Sequence, residues 1–527
     1  MHGLPLIALL VGALAVTATA RRLGASPPLV LVLAGIVVSF VPGIPDYQLD
    51  PELILLLVLP PLLYSAALDS SVLSIKANIS AISSLAVGLV LFTTVVVGLV
   101  AHWLIPDLPL AAAFALGAVV SPPDAVAAVA VGRRLGLPRR VMTMLTGESL
   151  LNDATALTAW RVAVTAATVS VSAWSSIGVF AVATVGGIAV GLAFGWVVHF
   201  VRRRLGDSEL ESAVGLVVPF AAYLVAEELH IPGTAEGLHP SGVLAVVVAG
   251  LYLGHRAPQG GFATRLQDTA VWKAADTVLE ALVFALIGLQ LPVVAAEVEG
   301  ELGSLAITGL VLTGVVILAR SVWVFPVAYL RQRLSRRGGE LSWRYPAVVS
   351  WAGMRGVVSL AAASALPLGF PGRDRVVFLA FFVTVGTLLL QGLTLPWVVR
   401  RLGVQRTDTQ SDLLAEAQAQ HVAAQAALAK LDELTADPAC PEHVERIAAR
   451  LRSWTEQRSL GAWERLGRPA EEAGEAPTAA FRRLRREMLT AEREAFIRFR
   501  DDGRMDDEVL RRVLRELDLE EALLSRE

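Results

Sequence analysis

The sequence predicts an all-α polytopic membrane protein: about thirteen transmembrane helices in two inverted repeats with broken crossing helices, followed by a helical cytoplasmic C-terminal tail. Three observations lead there. Of the 527 residues, 54% are hydrophobic, and the mean hydropathy is positive. Charge is unevenly spread: residues 1–402 are long apolar runs with short charged connectors, whereas residues 403–527 are rich in Arg, Glu and Asp. The few ionisable residues inside the apolar runs fall in clusters. A soluble chain of this length would carry charged surface throughout. The expected domains are therefore a membrane domain, 1–402, and a tail, 403–527, that is regulatory or dimer-stabilising.

A bilayer core needs about 20 apolar residues per helix. The candidate spans are roughly 4–20, 26–43, 51–68, 79–104, 109–131, 138–168, 173–201, 209–228, 238–255, 269–292, 303–330, 345–367 and 374–399. The first lacks a basic segment before its apolar run and does not read as a removable signal peptide. Pro60 and Pro61 kink the third. The sixth and eleventh are long enough to tilt or protrude.

The connectors check this count. Basic residues follow every odd-numbered span: Arg21 and Arg22, Lys76, Arg133 to Arg140, Arg202 to Arg204, Arg256 and Arg265, Arg331 to Arg344, and Arg400 and Arg401. The even-numbered connectors carry Asp46, Asp50, Glu52, Asp107, Glu236, Glu297, Glu299 and Glu301, with Arg373 and Arg375 flanking Asp374. Positive charge marks cytoplasmic loops, so the N-terminus is expected outside and the tail inside. Arg161, in the outer part of span six, is the exception and is expected to snorkel. An odd count also places spans 1–6 and 8–13 in opposite orientations, the geometry of inverted repeats.

Ionisable residues within a bilayer are costly and mark function. Span five contains Ser121-Pro122-Pro123-Asp124. Two prolines break the helix, and the freed backbone groups are tolerated only beside a cavity or buried in protein. Asp124 lies where it can neutralise the amides of the following half-helix. Span six carries Glu148, Ser149, Asn152 and Asp153. Glu148 and Asn152 are four apart, as are Ser149 and Asp153, so the four polar groups share one helix face. An apolar core has no place for them, and a polar cavity is expected. Arg320 in span eleven and Arg355 in span twelve each need an anionic partner, with Glu148 and Asp124 available. A pairing of this kind leaves Asp153 free to titrate. Asp276 and Glu280 in span ten suit either a cytoplasmic funnel or a helix contact, and the helix contact is preferred.

The segments SPPDAVAA, GESLLNDATAL, the Arg320 span and WAGMRGVVSLA, in this order, resemble the cation:proton antiporter 1 family, the sodium/proton exchangers that include the bacterial NhaP-type proteins. The resemblance covers residues 1–402, and its most specific part is the GES…ND motif. It implies a thirteen-span fold with inverted repeats, a dimerisation domain and a moving core. It also implies that Asn152, Asp153, Ser149 and Asp124 lie at the ion site, that Glu148 pairs with Arg320, and that Arg355 belongs to the broken twelfth span. One departure stands out: many members carry Thr where this chain has Pro123. A hydroxyl is missing there, and Ser121 or a backbone carbonyl is the expected substitute.

The expected activity is exchange of a monovalent cation for H+ across a bacterial plasma membrane in the service of pH homeostasis. Sodium is the first candidate, with potassium and lithium as alternatives. Asp153 holds either the metal cation or the proton, because one carboxylate cannot bind both at once. Asn152, standing in place of a second carboxylate, suggests electroneutral one-for-one exchange. The expected partners are the alkali cation, H+, the lipid bilayer and a second copy of the chain. No cofactor, no nucleic acid and no enzymatic activity are expected. The rival classes are a cation channel or uniporter, which needs no competition with protons, and an intramembrane hydrolase using Ser149 with Asp153 or Asp124, which lacks a nearby His.

The tail shows helical spacing at Leu413, Ala417 and Ala424 and again at Leu510, Val513 and Leu514, with breaks near Pro438, Pro441, Gly467 to Gly474 and Gly503. About four helices are expected, with residues 461–478 a flexible linker. Cys440 and His443 have the spacing of half a zinc site, but two ligands are missing and Cys440 reads as a stray thiol.

Overall fold

The computed structural model describes residues 3–42, 54–168, 173–229, 239–298, 300–334, 342–404, 409–436, 441–467, 477–502, 504–505 and 507–524. Asp46, Asp50, Glu52, Glu236, Glu299, Arg336, Arg337, Pro438, Cys440 and residues 468–476 of the expected linker lie outside these residues. Among the described residues the secondary structure is entirely helical. The chain forms two compact units, Met1–Arg406 and Thr407–Glu527.

The first unit begins with α1 (Gly3–Arg22), α2 (Pro27–Ser39) and α3 (Leu59–Leu68), the last preceded by a π-helical turn at Ile54–Val58. Next come α4 (Ile79–Leu104), α5 (Leu110–Val120), α6 (Ala125–Leu135) and α7 (Arg139–Thr168). They are followed by α8 (Ala173–Leu205), α9 (Ser208–Glu228), α10 (Gly242–Arg256) and α11 (Phe262–Leu289). The unit ends with α12 (Leu302–Leu334), α13 (Arg344–Trp351), α14 (Val357–Ser364) and α15 (Arg373–Leu402). Seven helices among the described residues are long and apolar enough to cross a membrane. The other expected spans coincide with shorter, interrupted or more polar helices. Spans five and twelve are each two half-helices, α5 with α6 and α13 with α14.

Packing separates two bundles. In one, α2 lies along α11, α10 packs on α3, α8 and α9, and α1 rests on α2 and α11. In the other, α5 packs on α4, α7 and α15, while α12 packs on α4, α13 and α15. Small residues set the closest approaches. Gly35 of α2 and Gly288 of α11 face each other, and a Cβ on Gly35 would sit 2.6 Å from the Ala285 carbonyl oxygen. The central α15 buries Val376, Phe378, Leu379, Val383, Leu388 and Leu395, whereas α8 leaves Ile177, Val185, Leu192 and Trp196 exposed. An apolar outer face of this kind suits lipid.

The second unit contains four helices among the described residues: α16 (Thr409–Leu434), α17 (Glu442–Gly467), α18 (Pro477–Asp501) and α19 (Asp507–Leu524). Residues 461–467, expected in a linker, instead continue α17; the glycines at 461 and 467 cost helix propensity without ending it earlier. Ala417 and Ala448 are buried, and α16 packs on α17. Leu489, Leu510 and Leu517 are buried, and α18 packs on α19. Arg485 reaches Glu520 and Glu492, and Arg493 reaches Asp518 and Glu521.

Candidate ion site

The site begins with two helix breaks that meet. α5 ends at Val120 because Pro122 and Pro123 supply no backbone donors. α13 ends at Trp351, and the chain runs irregularly through Gly353 and Gly356 before α14 starts. The two interruptions bond to each other: the Asp124 amide donates to the Met354 carbonyl at 2.6 Å. Arg355, 1% exposed, donates from Nε to the Val120 carbonyl at 2.6 Å and from Nη1 to the Gly353 carbonyl at 2.8 Å. Its backbone amide donates to Thr387 Oγ1 on α15 at 3.1 Å.

The anionic partner expected for Arg355 is therefore replaced by carbonyls. The physical reason is the helix end: the last carbonyls of α5 have no helical donors and carry partial negative charge. Close approach requires glycine at both positions. A Cβ on Gly356 would lie 2.5 Å from Asp124 Cγ, and one on Gly353 would run into Arg320 Cδ.

α7 supplies the side chains. Glu148, Ser149, Asn152 and Asp153 are 1%, 7%, 0% and 5% exposed. Successive residues turn by about 100°, so the two stripes diverge. The Glu148–Asn152 stripe faces protein. Glu148 accepts from Arg320 Nη1 at 2.5 Å and from Nη2 at 2.8 Å, and Arg320 Nε donates to the Val349 carbonyl at 3.0 Å. Asn152 Nδ2 donates to the Pro123 carbonyl at 2.8 Å, so one of the two carbonyls at the proline pair is already committed.

The Ser149–Asp153 stripe faces a cavity of about 770 Å³. Pro122, Pro123, Asp124 and Gly356 also line it. Asp153 has no hydrogen bond or ion pair with a described residue. Ser121, the expected substitute hydroxyl, turns back to the Ala118 carbonyl at 2.8 Å and is not on the cavity wall. The cavity extends to Asp69 and Ser71, just past α3, to Arg133 in the last turn of α6 and to Arg139 at the start of α7. Asp276 and Glu280 of α11 lie on its wall, and Ser65 Oγ donates to Asp276 Oδ2 at 2.6 Å. Asp276 thus makes the expected helix contact, to α3, while both residues also line the cavity. Their spacing of four, one helical turn, was the available signal.

At the other end of α7, Arg161 pairs with a carboxylate. Its Nη2 donates to both oxygens of Glu227 at 3.0 Å, His239 Nδ1 lies 3.1 Å from Glu227 Oε2, and the Gly242 amide donates to Glu227 Oε1 at 3.1 Å. The cluster ties α7 to the end of α9 and the start of α10. No local motif announces it.

The model of the family described as "Sodium/hydrogen exchanger, transmembrane" matches residues 6–401. The chain belongs to the sodium/hydrogen exchanger family. An uncharacterized Na+/H+ exchanger of Mycobacterium tuberculosis (strain ATCC 25618 / H37Rv) is 35% identical over 545 residues, covering 99% of this chain and 96% of its own, so the similarity runs through the tail. The Na+/H+ antiporter NhaH of Halobacillus dabanensis is 30% identical, covering 77% of this chain and all of its own. Among solved structures, the sodium proton antiporter MjNhaP1 of Methanocaldococcus jannaschii at pH 8 superposes with a TM-score of 0.60 at 18% identity, covering 75% of this chain and 97% of its own. That match establishes the exchanger fold for the membrane unit.

Proposed function

We propose that this multi-pass membrane protein exchanges a monovalent cation for H+, with Asp153 holding either one. The observation that carries the reading is the division of labour on α7: Glu148 is spent on Arg320, while Asp153 faces the cavity without a fixed partner. A hard cation takes oxygen ligands, and Asp153, Ser149, Asp124 and the backbone around Pro123 surround the inner end of the cavity. Asn152 holds the broken span in place through the Pro123 carbonyl. Competition of two ions for one carboxylate, combined with alternating exposure, suffices for exchange. The relatives named as Na+/H+ antiporters support sodium as the cation, with potassium and lithium the alternatives. The chain is a transporter and not an enzyme.

In this reading all thirteen segments cross the bacterial plasma membrane, with the N-terminus outside and the tail in the cytoplasm. The basic loops around Arg133 and Arg139 then place the cavity mouth on the cytoplasmic side, so the conformation is inward-open. The chain works as a homodimer and exchanges one cation per proton.

Reconstitution into proteoliposomes with a trapped pH dye tests the reading. A sodium gradient drives proton movement in the parent, and Asp153→Asn abolishes it while the protein still purifies as a folded species. Retained pH-dependent exchange in Asp153→Asn overturns the assignment. A current at zero membrane potential under the same gradients overturns the one-for-one stoichiometry.

A further inference from the structure

Hydroxyls inside these helices ordinarily bond to the carbonyl four residues back. Thr94 does so to Val90 at 2.8 Å, Thr158 to Ala154 at 2.7 Å and Thr313 to Gly309 at 2.7 Å. Ser359 does not. It is 1% exposed, and its Oγ has no hydrogen-bond partner among the described residues. At Ser359 the break in span twelve removes the helical acceptor. α14 begins at Val357, and Gly356 is extended at φ −140° and ψ −154°. The carbonyls three and four residues before Ser359 therefore belong to irregular backbone and not to a helical turn.

A buried hydroxyl left unbonded is costly and calls for an explanation. Ser359 lines the same cavity as Asp153, Ser149 and Asp124. Gly356, three residues earlier in the chain, abuts Asp124. The other neutral oxygens nearby are placed differently. Ser121 bonds to Ala118, and Asn152, whose Nδ2 is tied to the Pro123 carbonyl and whose Oδ1 is also unbonded among the described residues, does not line the cavity.

We propose that Ser359 Oγ is a ligand of the transported alkali cation and helps set its selectivity. Carboxylates supply the charge that a monovalent cation needs. Neutral oxygens complete the shell, and their number and spacing discriminate ions of different radius. The break in span twelve thus serves two ends: it lets Arg355 reach α5, and it frees one hydroxyl for the ion.

This inference rests on Asp153 being the ion carboxylate, so the test runs both variants side by side in proteoliposomes. Ser359→Ala removes one oxygen that bonds nothing in the protein. Its half-saturating sodium concentration rises about tenfold, the worth of one ligand bond. The maximal rate stays close to the parent's, and the ranking of lithium, sodium and potassium changes. Ser359→Thr, which restores the hydroxyl, brings the parent affinity back. If Ser359→Ala fails to fold, Ser359→Cys keeps the volume with a soft sulfur and carries the same expected loss of affinity. Unchanged half-saturation for all three cations overturns the proposal. So does a fall in maximal rate or thermal stability with the ion ranking intact, because that is a packing role. Loss of exchange in Asp153→Asn together with an unchanged Ser359→Ala overturns the ligand assignment alone. Retained exchange in Asp153→Asn overturns the underlying reading.

Discussion

Replacing Glu148 by Gln removes one charge from an ion pair whose side chains are each 1% exposed. The shape is kept, but the Arg320 guanidinium loses both charged contacts, at 2.5 and 2.8 Å, and retains only its bond to the Val349 carbonyl. Two unit charges about 4 Å apart attract by about 4 kcal/mol at an effective dielectric of about 20. Breaking one side of a buried pair costs about 3–5 kcal/mol, because the surviving charge stays out of water. Glu148→Gln and Arg320→Gln should therefore each destabilise the protein by that amount. The double variant Glu148→Gln/Arg320→Gln is electrically balanced again and should be more stable than either single variant, with a coupling of about 2–4 kcal/mol. Chemical unfolding in detergent micelles, followed by loss of helical circular dichroism, measures all four proteins. Additive single effects would refute the pairing. A Glu148→Gln variant as stable as the parent but about tenfold weaker for sodium would refute the division of labour on α7, since Glu148 would then be a cation ligand.

Gly356→Ala should lower both thermal stability and exchange, because its Cβ meets Asp124 Cγ at 2.5 Å; overpacking of this kind costs about 1–3 kcal/mol, and unchanged melting and transport would contradict it. Arg161→Met removes the tie from α7 to Glu227, whose partners are only partly buried. The expected result is a larger outward-open population, read as about fivefold faster labelling of Leu157→Cys by an impermeant maleimide from outside, in a Cys440→Ser background; an equal rate argues that the tie does not hold the outer side shut. In the tail, the Arg485 guanidinium beside Glu520 holds that carboxyl below its ordinary range. A carboxyl lowered in the folded state contributes stability above its unfolded pKa and loses it as pH falls through the folded value. Tail protection against proteolysis in the intact protein should accordingly weaken on acidification below the ordinary carboxylate range, and less steeply in Glu520→Gln; identical pH profiles would count against the bridge.

Much of the site was legible in the sequence because its causes are local. A spacing of four places Glu148 with Asn152 and Ser149 with Asp153 on neighbouring stripes of one helix, whatever surrounds it. Two successive prolines break span five in any context, and Gly353 with Gly356 allow the irregular backbone of span twelve. Apolar run lengths and the alternation of basic connectors are likewise properties of the chain itself.

What only the tertiary structure decided is which of these groups meet. Glu148 and Arg320 are 172 residues apart, and Arg355 and Val120 are 235 apart. No periodicity reaches that far, so the choice of carbonyls over a carboxylate for Arg355 could not be read from spacing. The same holds for the Arg161–Glu227–His239 cluster, drawn from three separate segments, and for Asp276 and Glu280, whose place on the cavity wall depends on how α11 packs against α3 and α14. Ser359 is the sharpest case. Its residue type and its position in span twelve are plain in the sequence, but only the fold interrupts the helix just before it, leaves its hydroxyl unbonded and brings the residue to the cavity wall.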